Sequence, residues 1–219
     1  MSDRIDEIES RLSEMGPPQE QEAPALRPPE PAEQDGEGRP PSQPIQAQPE
    51  TEHAAGELRV PDGYTVLSGG VDGRRAVGVV VSRFNAEITN KLLERALAEL
   101  EDVGVPKEAV MVMVVPGAFE LPLAAMALAK TRRYACVVAL GCVIRGETTH
   151  YDLVASEAAS GLQLAAIETG VPVSLGVLTV ESREQAEERI DRAADAVRAA
   201  LEMADVFSQL RAQAAGPLR

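Results

Sequence analysis

The chain contains no tryptophan, and only three phenylalanines and three tyrosines among its 219 residues. Its core must therefore be built from aliphatic side chains, and an aromatic in a loop calls for a reason. Two cysteines, Cys136 and Cys142, are too few for a disulfide framework. Cys136 falls in a strand pattern as a small buried hydrophobe, and the thiol count points to a reducing cytoplasm. Histidine is as scarce: His53 lies in a Pro-rich tail and His150 in the second half. With so few His and Cys residues there is no metal-ligand cluster to read. Positive charge is short too, with 21 Lys and Arg against 35 Asp and Glu, a net of −14. An acidic chain without a basic stripe argues against nucleic acid and anionic membrane surfaces as partners. No apolar run is long enough to span a bilayer, and the acidic N-terminus lacks the apolar stretch of a secretory signal.

What is present divides near residue 60. Residues 1–60 hold 14 Asp and Glu against 5 Arg, a net of −9, which leaves −5 for residues 61–219. From Gly16 to Pro49 the chain is dense in Pro, Gln, Glu and Gly. Such a stretch buries too little surface to offset its conformational entropy and reads as a disordered tail. Within it, Ile5, Ile8, Leu12 and Met15 recur at helical spacing, and Ser2 stands where a cap would. This short amphipathic helix at about 3–15 is too short to be stable alone. It is expected either to dock in a groove of a protein partner or to bundle with its own copies.

Beyond residue 60, strand and helix patterns alternate in one domain. The strands are Ala76–Ser82, Val110–Val115, Ala135–Leu140 and Val171–Thr179. Between and after them lie helices at Ala86–Gly104, Phe119–Lys130, Asp152–Gly170 and Ala194–Leu210, with a capped start at Ser182-Arg183-Glu184-Gln185. The strands are nearly continuous apolar runs, so both sheet faces should be covered. The expected fold is an α/β/α sandwich around a four-stranded parallel sheet. Tyr64–Ser68 is a candidate extra strand for an open edge, in its own subunit or a neighbour's.

Ligands of such sheets bind beyond the carboxyl ends of the strands. Four segments lie there: Ser82-Arg83-Phe84-Asn85, Pro116-Gly117-Ala118-Phe119-Glu120, the turn from Gly141 to His150, and Leu178-Thr179-Val180-Glu181. Two of the three phenylalanines, Phe84 and Phe119, fall in these loops, which suits a flat ligand; Phe119 equally suits a hydrophobic cap on the sheet. Glu120 and the N–H groups beside it fit hydroxyl or imide recognition, or a first-turn acid favoured by the helix dipole. Gly146-Glu147-Thr148-Thr149 opens a helix whose N–H groups and hydroxyls can receive an anion. His150, titrating near neutrality at a strand-to-helix turn, stands where proton transfer is often done.

Taken together, the segments resemble the lumazine synthase family of riboflavin biosynthesis. The resemblance is carried by Ser82–Asn85, Val115–Pro122, Gly141–Asp152 with Glu157-Ala158-Ala159, Gly170–Val173, Glu184–Arg189 and Leu201–Ala204, and it covers about residues 64–207. It implies a flavodoxin-like sheet and the condensation of 5-amino-6-(D-ribitylamino)uracil with 3,4-dihydroxy-2-butanone 4-phosphate. An amine attacks a ketone, an imine forms, phosphate leaves and the ring closes, with no metal and no redox cofactor. It implies that Phe84 stacks on the pyrimidine and that Ala118, Phe119 and Glu120 hold the ribityl chain and ring edge. Cys142, Val143 and Ile144 would line the pocket with backbone contacts. Glu147 and Thr148 would sit at the phosphate, and His150 would shuttle protons. Leu175 and Arg189 would come from the adjacent subunit of a homo-oligomer, Arg189 as the cation of the phosphate. Riboflavin synthase is then one candidate partner for the N-terminal helix.

Three departures from the family pattern stand out. Leu175 replaces a usual aromatic. Glu147 replaces a small or neutral residue. The family's Gly- and Lys-rich stretch between the last two helices is replaced by Arg189-Ile190-Asp191-Arg192-Ala193-Ala194-Asp195, about five residues shorter. Arg189, with Arg192 beside it, must then carry the anion without the family's lysine, and weaker affinity for the butanone phosphate is expected. The same shortening points to pentamers or pairs of pentamers rather than sixty-subunit shells. A rival reading is a weak or inactive paralogue serving as an oligomeric scaffold; a flavodoxin-like small-ligand binder is a third. Phe84, Glu120, His150 and Arg189, retained together, favour the enzyme, because a scaffold needs none of them.

Overall fold

The computed structural model describes residues 60–215. The tail readings, the capped helix at 3–15 among them, lie outside the described residues. Four strands, β1 (Val77–Ser82), β2 (Val110–Val115), β3 (Cys136–Ile144) and β4 (Val173–Val180), form one sheet in the order β2-β1-β3-β4. Every neighbouring pair is parallel. The helices are α1 (Ala86–Asp102), α2 (Leu121–Lys130), α3 (His150–Thr169), α4 (Arg183–Glu187) and α5 (Arg192–Ala215). The sandwich expected from the apolar runs is the one observed, a flavodoxin-like α/β arrangement. No helix among the described residues is long and apolar enough to cross a membrane.

The alternation of the strands divides the core in two. Val77, Val79 and Val81 of β1 meet Ile88, Leu92 and Leu100 of α1 and Val197 and Leu201 of α5. Val80, with Val137 and Ala139 of β3, faces Leu121 and Ala125 of α2 and Leu162 and Ala165 of α3. Central β1 is buried at all six positions, whereas edge strand β2 leaves Met111 and Val114 exposed. This is why β1 reads as an unbroken apolar run.

Local chemistry sets the element ends. Ser182 caps α4 by accepting the Gln185 N–H at 3.4 Å, and the Gln185 side chain accepts the Glu181 N–H at 2.9 Å. Gly170 ends α3 in the left-handed region at φ 63, as its glycine stop predicts. Gly161 lets α3 close on α2, since a Cβ there would sit 2.7 Å from Pro122 Cβ. Glu99 is buried on α1 between Arg95, 3.0 Å away, and Arg198 of α5, 2.5 Å away, which links the two helices by charge.

Tyr64–Ser68 forms no strand and pairs with no edge of its own sheet. The segment is drawn to α5 instead. Gln209 Nε2 donates to the Ser68 carbonyl at 2.9 Å and the Gly70 N–H donates to Asp205 at 3.0 Å. A Cβ at Gly69 would lie 2.2 Å from the Glu202 carbonyl oxygen.

Candidate active site

The winding of the sheet reverses between β1 and β3: β1 continues into α1 on one face, and β3 into α3 on the other. A crevice opens at their carboxyl ends, as the topology requires. It holds a pocket of about 610 Å3.

The first wall follows β1. The N–H groups of Arg83 and Phe84 donate to the Val115 and Pro116 carbonyls at 2.9 and 3.0 Å, prolonging the sheet by two rungs and fixing the loop. Asn85 then takes a left-handed conformation, φ 58, one of the few side chains that tolerates it. Its Nδ2 donates to the Cys142 carbonyl at 3.0 Å. Phe84 projects from this anchored loop with 71% of its surface exposed.

The second wall follows β2. Ala118–Glu120 makes one tight helical turn before α2, with a proline in the first turn of that helix. The Glu120 carboxylate turns back to accept the Gly117 N–H at 2.9 Å. Ala118 is buried beneath, and Phe119 is 57% exposed. The two phenylalanines are open aromatic faces on separate loops of one pocket.

The floor is β3. It runs on to Ile144, four residues beyond the apolar strand predicted at Ala135–Leu140, so Gly141–Ile144 is strand and the turn begins only at Arg145. The cause is β4, whose ladder with β3 continues through Ile144 and Val180. Burial pushes the Cys142 thiol up to about 11 and the Cys136 thiol up to about 12. Neither is a thiolate near neutral pH, so neither is poised as a nucleophile.

Arg145 organises the exit turn. Its guanidinium bonds Asp152 on α3 at 3.1 and 3.2 Å and Glu181 beyond β4 at 2.9 Å, and it lies 4.1 Å from the centre of the Tyr151 ring. The hydrogen bonds it donates to Asp152 first, and then to Glu181, raise its pKa and keep it charged. These pairs are solvent-exposed and contribute little stability each. Their geometric effect is to hold the start of α3. His150 is the first residue of that helix and is exposed, with its N–H 3.4 Å from Thr148 Oγ1.

Of the residues singled out in the sequence, Phe84, Ala118, Phe119, Glu120, Cys142, Val143, Ile144, Thr148 and His150 line this one pocket. Three do not. Glu147 lies on the exposed turn, Leu175 sits exposed in the middle of β4, and Arg189 follows α4. Arg189 Nη1 donates to the Gln185 carbonyl at 2.7 Å and lies 3.3 Å from Glu188. Asn85 as an anchor, Tyr151 as lining and Arg145 as the organiser of the turn were not singled out by role. The charge pattern Arg145…Asp152 was the one available signal for the last. Among the described residues, no group of three or more His, Cys, Asp or Glu is placed to hold a metal ion.

Comparison with known proteins adds family relationships to this description. The family described as 6,7-dimethyl-8-ribityllumazine synthase matches residues 74–208. A protein of that name from Paraburkholderia phymatum is 46% identical over 136 residues, 62% of this chain and 78% of the relative. Proteins of the same name from a Polaromonas species and from Verminephrobacter eiseniae are each 42% identical over 142 residues, 64% of this chain and 92% of each relative.

Proposed function

The chain belongs to the 6,7-dimethyl-8-ribityllumazine synthase family, and from that premise we propose that it condenses 5-amino-6-(D-ribitylamino)uracil with 3,4-dihydroxy-2-butanone 4-phosphate, a transferase step of riboflavin biosynthesis that releases phosphate and water. The observation that carries the reading is the convergence of Phe84, Glu120 and His150, from the ends of three different strands, on one pocket. Phe84 offers its face to the pyrimidine. Ala118, Phe119 and Glu120 hold the ribityl chain and ring edge, and the Cys142–Ile144 backbone meets the ring.

The chemistry asks for positioning and proton transfer. Nucleophilic attack by the 5-amino group on the ketone carbon needs a proton delivered to the developing hydroxyl and another removed from nitrogen. His150, exposed and lining the pocket, is assigned both transfers. The carbinolamine then loses water to give the imine, the imine eliminates phosphate, and ring closure by the ribitylamino nitrogen releases a second water. Among the described residues of a single chain, no lysine or arginine lines the pocket. A phosphate carries about −1.5 to −2 charges near neutral pH and needs a cation, so Arg189 of an adjacent subunit is assigned to it, beside Thr148 and Glu147. Leu175 comes from the same neighbour. The site is thus shared between copies in a homo-oligomer of five or ten subunits, and the exposed Leu153, Leu164 and Ile167 of α3 supply apolar surface for the contact.

The test is product formation by the purified full chain from the two substrates, followed by lumazine absorbance. Saturable turnover above the uncatalysed background is expected. A folded oligomer with no rate above that background would overturn the assignment. Light scattering checks the assembly, and a megadalton particle would contradict five or ten subunits.

A further inference from the structure

The other end of the sheet carries a second cavity, of about 520 Å3, where β1 and β3 begin. Five arginines line it. Arg74 and Arg75 lie on the approach to β1, Arg132 and Arg133 follow α2, and Arg211 comes from near the end of α5. This gathering occurs in a stretch, residues 61–219, whose formal charge is −5.

The fold accounts for three of the five. Arg74 forks onto Asp72 with two bonds of 3.1 Å. Arg75 reaches Asp205 at 2.6 Å and so ties the approach of β1 to α5. Arg132, held at φ 58, donates to the Thr169 carbonyl at the end of α3, 2.5 Å away. The side chains of Arg133 and Arg211 have no hydrogen-bond or ion-pair partner among the described residues, and both residues are exposed. The Nε of Arg75 is buried and without a partner. Among the described residues, the carboxylates paired with these five guanidiniums are Asp72 and Asp205. Like charges gathered this closely repel.

We propose that this cavity binds a small ligand carrying two or more linked phosphates, closed on by Arg133 and Arg211 and walled by the pre-oriented Arg74 and Arg75. Guanidinium forks match phosphate oxygens two at a time. Five guanidiniums around one cavity offer more paired donors than the oxygens of a single phosphate can accept. The volume falls in the range of small-molecule sites. No lining residue is shared with the catalytic pocket, from which the cavity is separated by the length of the strands. The inference is independent of the assigned reaction. The shared chemistry is the linked phosphate pair, whose source is either inorganic or a nucleotide.

The test is calorimetric titration of the full chain with pyrophosphate and with ADP at about 0.15 M ionic strength, where exposed charges are already screened. Wild type is compared with the double variant Arg133→Ala, Arg211→Ala and with Arg189→Ala. Both arginines of the double variant are exposed, and an unchanged melting temperature certifies its fold. One saturable site per subunit is expected, weakened at least tenfold in the double variant and unchanged in Arg189→Ala. Equal affinity for the two probes would support a site read by phosphate alone; at least tenfold tighter ADP would support the same site with Tyr134 beside the base. Binding that survives the double substitution, disappears in Arg189→Ala, or is absent from wild type overturns the proposal.

Discussion

Asn85 and Cys142 are 57 positions apart in the chain and one hydrogen bond apart in space, the Asn85 amide donating to the Cys142 carbonyl at 3.0 Å. The bond ties the loop after β1 to the far part of β3 across the base of the crevice. Asn85→Ala removes it and places a side chain less suited to φ 58. We expect a loss of about 1–2 kcal/mol, read by urea unfolding. KM for the uracil substrate should rise as well, because Phe84 sits on the same loop. An unchanged KM would show that the anchor does not position Phe84.

His150→Ala should lower kcat by about 10²–10⁴-fold, the ordinary worth of a general acid–base group. The side chain is exposed at the first residue of α3, so the melting temperature should stay put. The uncatalysed condensation sets the floor of the measurement. A rate within threefold of wild type would remove His150 from the mechanism.

Arg189→Ala should raise KM for the butanone phosphate at least tenfold and leave KM for the uracil within about twofold, since a charge-assisted phosphate contact is worth about 1.5–3 kcal/mol. Only Glu188–Asp191 separates α4 from α5, which leaves no room for further cations in that connection. Restoring the family's Gly- and Lys-rich stretch between these helices should lower the same KM. Equal effects of Arg189→Ala on both substrates would argue against a phosphate role.

Gly161→Ala should destabilise the domain by about 1–3 kcal/mol, because its Cβ would meet Pro122 Cβ at 2.7 Å and press α3 off α2. Denaturant unfolding measures this directly. A neutral result would show that the two helices can separate freely.

Asp205 is held below the ordinary carboxylate range, first by the Gly70 N–H, then by Gln209 and Arg75. A depressed folded pKa contributes stability that is present above the unfolded value, about 3.9, and lost as pH falls through the folded value. Asp205→Asn should therefore melt lower than wild type at pH 7, and the gap should shrink steadily below pH 4. A gap that widened on acidification would reverse the assigned sign.

How far the sequence foretold this follows from which forces act locally. The buried strands were legible because β1 and β3 are apolar on both faces, and α1 because Ile88, Leu92, Ala96 and Leu100 share one face. The end of α3 was legible because Gly170 is a local signal. Gly141–Ile144 was misread as turn because its strand character comes from pairing with β4, a partner distant in sequence. Tyr64–Ser68 has strand-like residues, yet α5 captures the segment through Asp205 and Gln209. Glu99 looks like a solvent position until Arg95 and Arg198 are seen on either side of it. The pocket residues were legible as motifs at strand ends, whereas the anchor role of Asn85 depended on a backbone angle that no spacing encodes.

The ladder between β1 and β3 stops at Val81 and Leu140, while β3 continues to Ile144. Beyond that point the Arg145 N–H turns to β4 and bonds the Val180 carbonyl, so by strand alternation Cys142 and Ile144 turn theirs into the crevice. Asn85 takes the Cys142 carbonyl, and no strand among the described residues takes the rest. A planar ring with neighbouring N–H and C=O groups can dock there as one more rung of the sheet, read by the backbone rather than by side chains. Selectivity for the heterocycle would then resist side-chain mutation along β3 and yield instead to N-methylation of the ligand, which deletes the donor that a rung requires.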